Sequence, residues 1–267
     1  MSYRHITVDR DRFVTICMNR PERRNALSLD HMLELIDAFR AAGASECSGV
    51  VLAGAGPVFC AGHDFADMVG QDLGFMRHLL GVCTELMATI QSIRQPVIAK
   101  VQGLATAAGC QLVCSCDLAV ASTGAGFALP GGKGGWFCHT PLVAVARSIE
   151  RKRALEMAFT GDPIDAHTAL EWGLVNRVVP PEQLDAATTE LLTRATRGSF
   201  ASKALGKAAF YAQVDLDQPK AYAHAVEVMA AASQLPDARE AMAAFLEKRP
   251  PVWAEPTPLE HKPAQGD

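Results

Sequence analysis

The clearest fold signal is the stretch PVIAKVQGLATAAGCQLVCSCDLAVAS, residues 96–122. Its opening run PVIAKVQG is apolar, as is typical of a buried strand. The small residues that follow, TAAGCQLVCSC at 106–116, predict a helix, and DLAVA at 117–121 predicts the next strand. A strand, a helix and a second strand in succession indicate an α/β protein, in which the loops after the strands carry the chemistry.

The flanking segments continue this alternation of strands and helices. Asp9-Arg10-Asp11 separates two β-rich runs and indicates a hairpin over residues 3–18, and Ser28 is a suitable N-cap for the apolar periodicity that begins at Leu29. The other predicted elements are a helix end near Gly43, a strand at 49–54, a helix ending at Arg94, a strand beginning at Phe127, helical residues 139–172, a strand at 174–180 and helices at 199–213 and 218–234.

The last third of the chain has a different character. From about residue 182 to residue 247 the pattern contains only helices. The shift near Gly198 therefore predicts a core over residues 1–198 and a helical appendage over residues 199–250. Prolines at positions 250, 251, 256, 258 and 263 predict a flexible tail over residues 251–267.

Composition and charge limit the function classes. Of the 267 residues, 49% are hydrophobic and 20% are charged, a balance typical of folded globular proteins. The net charge is −4 and no basic run exceeds Arg151-Lys152-Arg153, so nucleic acid is not an expected partner. The eight cysteines lack metal-site spacing, the first residues do not resemble a signal peptide, and no segment is apolar enough to span a membrane. The chain is therefore predicted to be cytoplasmic, without a metal.

Two junctions made of small residues are the best candidates for chemistry. They are FCAGHD at 59–64 and GLATAAGCQ at 103–111, and both permit close approach of the backbone. The second leads into a helix start, where unpaired N–H groups favour a negatively charged oxygen. Two N–H donors that converge from separate loops would form an oxyanion hole. The alternative is that these small residues only pack a strand against a helix.

Five segments, in this order and at this spacing, are found together in one protein family. They are NRPERRNALS (19–28), GPVFCAGHDFADM (56–68), the stretch at 96–122, ALEMAFTGDPIDAHTALEWGLVNRVV (154–179) and FLEKRPPVW (245–253). Over about residues 12–250 the chain resembles the enoyl-CoA hydratase/isomerase family, also called the crotonase family. The resemblance implies a crotonase, ClpP-like spiral of repeated strand-strand-helix turns with a C-terminal α-helical trimerisation region. It also implies an acyl-CoA thioester as ligand, no other cofactor, and a homotrimer or a dimer of trimers.

The resemblance also implies roles for individual residues. The backbone N–H groups of His63 and Ala108 match the oxyanion hole for the thioester carbonyl. The other positions that match ligand-contacting parts of the family are Arg23 and Arg24 beside CoA, Ala61 at the adenine, Asp64, Met68 and Gly131 in the matching stretches, and Phe245 and Lys248, which often reach the ligand of a neighbouring subunit.

The chain departs from the family's hydratases at both catalytic carboxylates. Gln111 and Gly131 stand where these hydratases have two glutamates, and each positioned proton transfer typically contributes 10²–10⁴-fold. Gln111 can orient water or substrate but cannot exchange a proton usefully near pH 7. Efficient two-glutamate hydration is therefore not expected.

Other chemistry remains open at this point. Replacement acid or base candidates are His63, Asp64, Asp67, Cys110, Cys138 and His139. With an oxyanion hole that stabilises an enolate, the compatible reactions are isomerisation, decarboxylation and thioester hydrolysis. The alternative is a non-catalytic acyl-CoA-binding or regulatory protein. The turn HDF at 63–65 and the stretch FCHTP at 137–141 resemble one subgroup of the family, whose name does not settle the reaction.

Overall fold

The computed structural model describes residues 3–254. Within them, strands and helices alternate over the first two thirds of the chain and helices follow. The strands are β1 (Ile6–Arg10), β2 (Val14–Met18), β3 (Val50–Gly54), β4 (Val58–Cys60), β5 (Val97–Val101), β6 (Leu104–Thr106), β7 (Leu118–Ser122), β8 (Gly126–Ala128), β9 (Ile164–Asp165) and β10 (Arg177–Val179). The α-helices are α1 (Leu29–Gly43), α2 (Leu73–Ser92), α3 (Ala108–Ser115), α4 (His139–Ser148), α5 (Arg151–Thr160), α6 (Ala166–Trp172), α7 (Leu184–Thr196), α8 (Phe200–Gln213), α9 (Gln218–Ala232) and α10 (Pro236–Leu246).

A large sheet forms the base of the fold. Its strand order is β1-β2-β3-β5-β7-β10, with an antiparallel β1-β2 hairpin and parallel pairing throughout the rest. The central strands are almost entirely apolar, as expected for parallel strands whose two faces are both covered. Ser28 caps α1 as predicted, since its Oγ accepts a hydrogen bond from the N–H of His31 at 3.2 Å.

A second, small sheet gives the fold its spiral. Its order is β4-β6-β8-β9, and each of β4, β6 and β8 follows directly after one strand of the large sheet. The chain therefore repeats two strands and a helix, which is the predicted spiral. Local pattern alone had not indicated β4 and β6, because three residues are too few to show a period. The predicted helix at 106–116 begins two residues later, because Leu104–Thr106 pairs with β8.

The region at 139–172 is not continuously helical. It contains α4, α5 and α6, and the two-residue strand β9 comes before α6. Ile164 pairs with Phe127 and so ties this region to the small sheet. The helical prediction overlooked this strand because a two-residue pairing leaves no periodic signal.

The C-terminal helices are anchored on the core by a buried polar cluster. Lys207 on α8 donates to the carbonyl oxygens of Ile90 (3.0 Å) and Gln95 (2.9 Å) and to the carboxylate of Asp117 (2.7 Å). Tyr211 donates to the same carboxylate at 2.9 Å.

The predicted tail, residues 251–267, is described only as far as residue 254. In this described part the N–H of Val252 donates to Glu240. Residues 255–267 of the prediction lie outside the described residues.

Candidate functional site

A cavity of about 370 Å³ opens where the small sheet meets the N-terminus of α3. Ala61, His63, Ala108 and Gly131 line it, so four of the predicted site residues share one cavity. We call residues 61–64 together with residues 106–109 the two-loop corner. The corner forms one end of the site, and the loop of residues 130–139 forms another part of its wall.

Glycines allow the two loops of the corner to touch. Gly62 has φ +86°, and a Cβ atom there would lie 3.0 Å from the Cβ of Ala107. At Gly109, a Cβ atom would lie only 2.2 Å from the carbonyl oxygen of Cys60. Any side chain at either position would push α3 away from β4. The predicted close backbone approach is therefore present.

Two backbone N–H groups of the corner are unpaired. Ala108 is the first residue of α3, so its N–H has no acceptor within the helix. Beside it, the N–H of Leu27 donates to Gly62 (2.8 Å) and the N–H of Asp64 donates to Leu27 (3.0 Å). Successive N–H groups of an extended chain point in opposite directions, so the N–H of His63 points away from Leu27. Within residues 3–254 neither His63 nor Ala108 donates a backbone hydrogen bond.

The residue before Ala108 has a strained backbone. Ala107 has φ 49° and ψ −118°, a conformation that favours glycine. It is fixed there because its own N–H donates to Ala128 at 2.9 Å and α3 begins immediately afterwards. The ψ angle of Ala107 sets the direction of the Ala108 N–H. Strain of this kind typically costs about 1–3 kcal/mol and concentrates at functional sites.

An ion-pair cluster around a buried carboxylate holds the first loop of the corner. Asp64 is buried, and its carboxylate binds Arg20 at 3.1 Å and Arg23 at 3.0 Å. It also accepts from the N–H of Ala66 at 3.1 Å. Burial acts to raise the pKa of this carboxyl, but the hydrogen bonds from Ala66 and the arginines prevail and hold the pKa below its usual range. Asp64 is thus a fixed anion that shapes the loop.

Asn25 also fixes the first loop of the corner. Neither Asn25 nor Arg20 was singled out from the sequence. The buried Asn25 side-chain amide donates to the carbonyl oxygens of Ala55 (2.9 Å), Val58 (2.8 Å) and Phe59 (3.1 Å). The carbonyl of Arg24 accepts from the N–H of Ala61 at 3.0 Å. Both missed residues belong to the quoted segment NRPERRNALS, but only the fold shows that this segment lies against β4.

Gly131, where the resemblance implies a glutamate in the family's hydratases, has no space for a side chain. A Cβ atom at Gly131 would lie 2.1 Å from the carbonyl oxygen of Trp136 and 2.8 Å from the Sγ of Cys138. The backbone makes this turn because the N–H of Trp136 donates to Gly131 at 2.8 Å. The N–H of Gly131 donates in turn to the Cys138 Sγ at 3.3 Å. The loop thus leaves no room for any side chain at residue 131.

The replacement acid and base candidates are divided by their surroundings. His63, Cys138 and His139 line the cavity, and among the residues that the structure describes no Asp or Glu does. Burial lowers the pKa of His63 to about 4, with only partial opposition from the Leu27 backbone, and burial raises the pKa of the Cys138 thiol. His139 is exposed, and its ring lies 5.2 Å from that of Phe137.

The three candidates that do not line the cavity are Asp64, described above, Asp67 and Cys110, and the contacts of the last two are structural. Asp67 accepts from the N–H of Leu29 at 2.8 Å and so caps the first turn of α1. Cys110 is fully buried, and its hydrogen bond with Cys114, together with burial, raises its pKa. Neither residue lines the cavity.

Seven predicted site residues lie outside the cavity wall, and one of them is Asp64 of the ion-pair cluster. Gln111, one turn below Ala108 on α3, instead lines a separate groove between α2, α3, α4 and α8, with its Oε1 3.9 Å from the Sγ of Cys83. Met68 packs against the core. The remaining four residues are exposed, namely Arg23, Arg24, Phe245 and Lys248. The structure thus brings together the backbone donors but not the residues expected to contact the distant parts of CoA.

Comparison with known proteins identifies the family. The family model described as enoyl-CoA hydratase/isomerase matches residues 10–256, and the chain belongs to that family. The spiral is therefore the crotonase fold, as predicted. In the described residues no helix is long and apolar enough to cross a membrane.

Individual relatives agree with the predicted subgroup. Enoyl-CoA hydratase domain-containing protein 3, mitochondrial, of Rattus norvegicus is 43% identical over 250 residues, covering 93% of this chain and 83% of the relative. A crystal structure of the human domain-containing protein 3 superposes with a TM-score of 0.89 at 40% identity, covering 94% of this chain and 100% of that one. An enoyl-CoA hydratase of Mycobacterium smegmatis gives a TM-score of 0.90 at 44% identity, covering 94% and 99%.

Proposed function

We propose that the protein binds an acyl-CoA thioester in the 370 Å³ cavity, with the thioester carbonyl oxygen between the N–H groups of His63 and Ala108. The observation that carries this proposal is the pair of unpaired donors on one cavity, held by glycine contacts and by the ion-pair cluster. Donors fixed in advance stabilise the negative charge of an enolate oxygen without reorganisation. CoA itself is the carrier of the substrate, and the proposal includes no other cofactor.

The reaction that fits this cavity transfers protons without a carboxylate. Gly131 cannot carry a side chain, so two-glutamate hydration is not the proposed activity. His139 is the candidate proton carrier, because it is the exposed histidine of the cavity wall. One such group suffices for isomerisation of an enoyl thioester or for hydrolysis with an oriented water. Gln111 lines a separate groove, so the proposal gives it no part in this reaction.

A second candidate function is acyl-CoA binding without turnover. The absence of Asp and Glu from the cavity wall, within residues 3–254, favours it. Incubation with enoyl-, malonyl- and saturated acyl-CoAs, followed by mass spectrometry, separates the two functions. Product from any member establishes an enzyme, and binding without product across the panel supports the binding protein.

The carbonyl contact has a direct test that leaves the protein unchanged. S-ethyl-CoA lacks the carbonyl oxygen of acetyl-CoA but keeps its size. Two hydrogen bonds at about 0.5–1.5 kcal/mol each predict that acetyl-CoA binds about 10-fold more tightly. Equal affinities measured by calorimetry would contradict the proposed oxyanion hole.

A backbone variant assigns that contact to Ala108. An amide-to-ester exchange at residue 108, with lactic acid in place of alanine, removes the N–H and keeps the side chain, so it is expected to lower the acetyl-CoA preference about threefold. The same exchange at Ala166, the first residue of α6 and outside the cavity wall, is the matched control. Unchanged affinity for S-ethyl-CoA shows that the protein with the ester at residue 108 still folds.

Assembly and location are also proposals. Phe245 is 82% exposed, and Tyr222 and Met229 add further exposed apolar surface to the C-terminal helices. We expect this surface to be buried in a homotrimer or a dimer of trimers, in which Phe245 and Lys248 reach a neighbouring ligand. Sedimentation analysis of the protein and of Phe245→Asp checks the assembly.

The cytoplasm remains the predicted location. The rat relative is named as mitochondrial, so cell fractionation is needed to check this prediction.

A further inference from the structure

The wall of the cavity restricts the acyl group that it can accept. Apart from His63 and His139, its large side chains are apolar, namely Phe65, Leu80, Pro130, Trp136, Phe137 and Pro141. Among the described residues no Lys, Arg, Asp or Glu joins them. This inference rests on the proposed function, because it concerns the acyl part of the same thioester.

His139 is exposed to solvent, and apart from it a carboxylate on the acyl group has no partner among the ionisable side chains of this wall. Burial keeps His63 neutral near pH 7, since it lowers the pKa of the ring to about 4, and Cys138 is a neutral thiol because burial raises its pKa. Arg20 and Arg23 beside the corner are already bound to Asp64, and Lys133 of the 130–139 loop pairs with Asp162 at 2.8 Å. A buried, unpaired charge is strongly unfavourable, so the cavity selects an uncharged group.

Two aromatic side chains of the wall are open to solvent. Trp136 is 43% exposed and Phe65 is 67% exposed. Phe137, by contrast, lies 6.0 Å from the Phe159 ring, a separation typical of a packed aromatic pair. The exposed faces of Trp136 and Phe65 are thus free to pack against a ligand, and the backbone of Trp136 is already fixed by its hydrogen bond to Gly131 at 2.8 Å.

The volume is sufficient for a ring. An engineered apolar cavity of about 150 Å³ binds benzene. The present cavity of about 370 Å³ therefore holds a six-membered ring with space left for the thioester. Rings pack on aromatic walls with an additional gain over their buried area, and they have fewer rotatable bonds to immobilise than a linear chain.

We propose that the acyl group bound here is uncharged and bears an aromatic or alicyclic ring, which packs against Trp136 and Phe65. The site is thus selective for ring-bearing acyl-CoAs over short linear and carboxylated ones.

Calorimetry with five ligands tests this selectivity, using CoA, acetyl-CoA, hexanoyl-CoA, malonyl-CoA and phenylacetyl-CoA with the full chain. Burial of a phenyl-sized group predicts that phenylacetyl-CoA binds about 10- to 100-fold more tightly than acetyl-CoA. We expect it to exceed hexanoyl-CoA by about threefold, and malonyl-CoA to bind no better than CoA. Equal affinity for the phenylacetyl and hexanoyl ligands overturns the ring selectivity, and tight malonyl-CoA binding overturns the selection for an uncharged group.

A tryptophan variant ties the selectivity to the wall. Trp136→Ala is expected to reduce the phenylacetyl-to-acetyl ratio about fivefold while CoA affinity stays unchanged. Trp253→Ala is the matched control, because Trp253 does not line the cavity. An unchanged ratio in Trp136→Ala overturns the assignment. If no CoA species binds to the native chain, the proposed function itself fails; if all acyl-CoAs bind equally, only the ring selectivity fails.

Discussion

The two-loop corner and the loop of residues 130–139 line the same cavity but have opposite relations to the family's chemistry. The corner has two unpaired N–H donors and a cluster of glycine contacts and ion pairs that fixes them. The 130–139 loop has a glycine at position 131, where the resemblance implies a glutamate in the family's hydratases, and its own backbone closes the space that a side chain would need. Under the proposed function, carbonyl binding and proton transfer would therefore rest on different segments.

Acid pH should have the largest effect, because it lowers the unfolding free energy through a histidine of the corner, His63, and through the buried His31. Burial lowers the pKa of both His31 and His63 to about 4, whereas an unfolded histidine titrates near 6.5. The unfolded chain therefore takes up protons that the folded chain does not, so stability is complete above about pH 6.5 and falls as the pH drops toward 4. We expect a loss of about 2 kcal/mol per histidine between pH 7 and pH 5, measured by urea unfolding.

Single variants separate the contributions of His31 and His63 to the pH dependence of the unfolding free energy. His31→Asn keeps a donor near the Ala26 carbonyl, which the His31 ring approaches at 3.1 Å, and should remove about half of the pH dependence. His63→Asn should remove the other half. His78→Asn, at an exposed histidine of α2, should leave it unchanged. An unfolding free energy that is equal at pH 7 and pH 5 would show that the two rings are not held neutral.

The 130–139 loop should reject any side chain at its first glycine. Gly131→Ala places a Cβ atom 2.1 Å from the Trp136 carbonyl, and such overpacking costs about 3 kcal/mol, which lowers Tm by about 6–12 °C. Gly134→Ala is the control, because its Cβ atom would find only ordinary contacts at 3.7 Å. A calorimetric scan of both variants measures the difference.

The same loop explains why restoring carboxylates should not restore hydration. Gln111→Glu puts a carboxylate in the groove between α2 and α3, away from the cavity wall. We expect no crotonyl-CoA hydration from Gln111→Glu, alone or combined with Gly131→Glu. Hydration by the single variant would show that Gln111 reaches the substrate and that one carboxylate is enough.

The sequence predicted the close backbone approach in the two-loop corner, but it did not predict the shape of the 130–139 loop. His63 and Ala108 follow runs of small residues, and a run of small residues is itself the signal for close backbone approach. The resemblance also implied that Gln111 and Gly131 stand where the family's hydratases have glutamates, and this stays a prediction. The sequence did not show that Gly131 has no space for a side chain, because the Trp136 carbonyl approaches Gly131 only in the folded chain.

The parts of the fold that escaped prediction share a physical cause. The strands β4, β6 and β9 have two or three residues each, and their pairing comes from partners distant in the chain. Arg20 and Asn25 likewise act on groups about 30 to 44 residues away. Local periodicity carries no information about such contacts, so the resemblance to a family, rather than the pattern, supplied the spiral.

Relief of strain at Ala107 should have the smallest effect and is the sharpest test of the corner. Ala107→Gly removes a methyl group from a backbone at φ 49° and ψ −118°, and we expect a gain of about 1 kcal/mol, or about 2–4 °C in Tm. The matched control Ala146→Gly, at an exposed residue in the last turn of α4, should instead lose about 1 kcal/mol. If the strain directs the Ala108 N–H, the preference for acetyl-CoA over S-ethyl-CoA falls about twofold in Ala107→Gly. A higher Tm with an unchanged preference would mean that the helix start alone sets the donor, and that the strain at Ala107 has no part in binding.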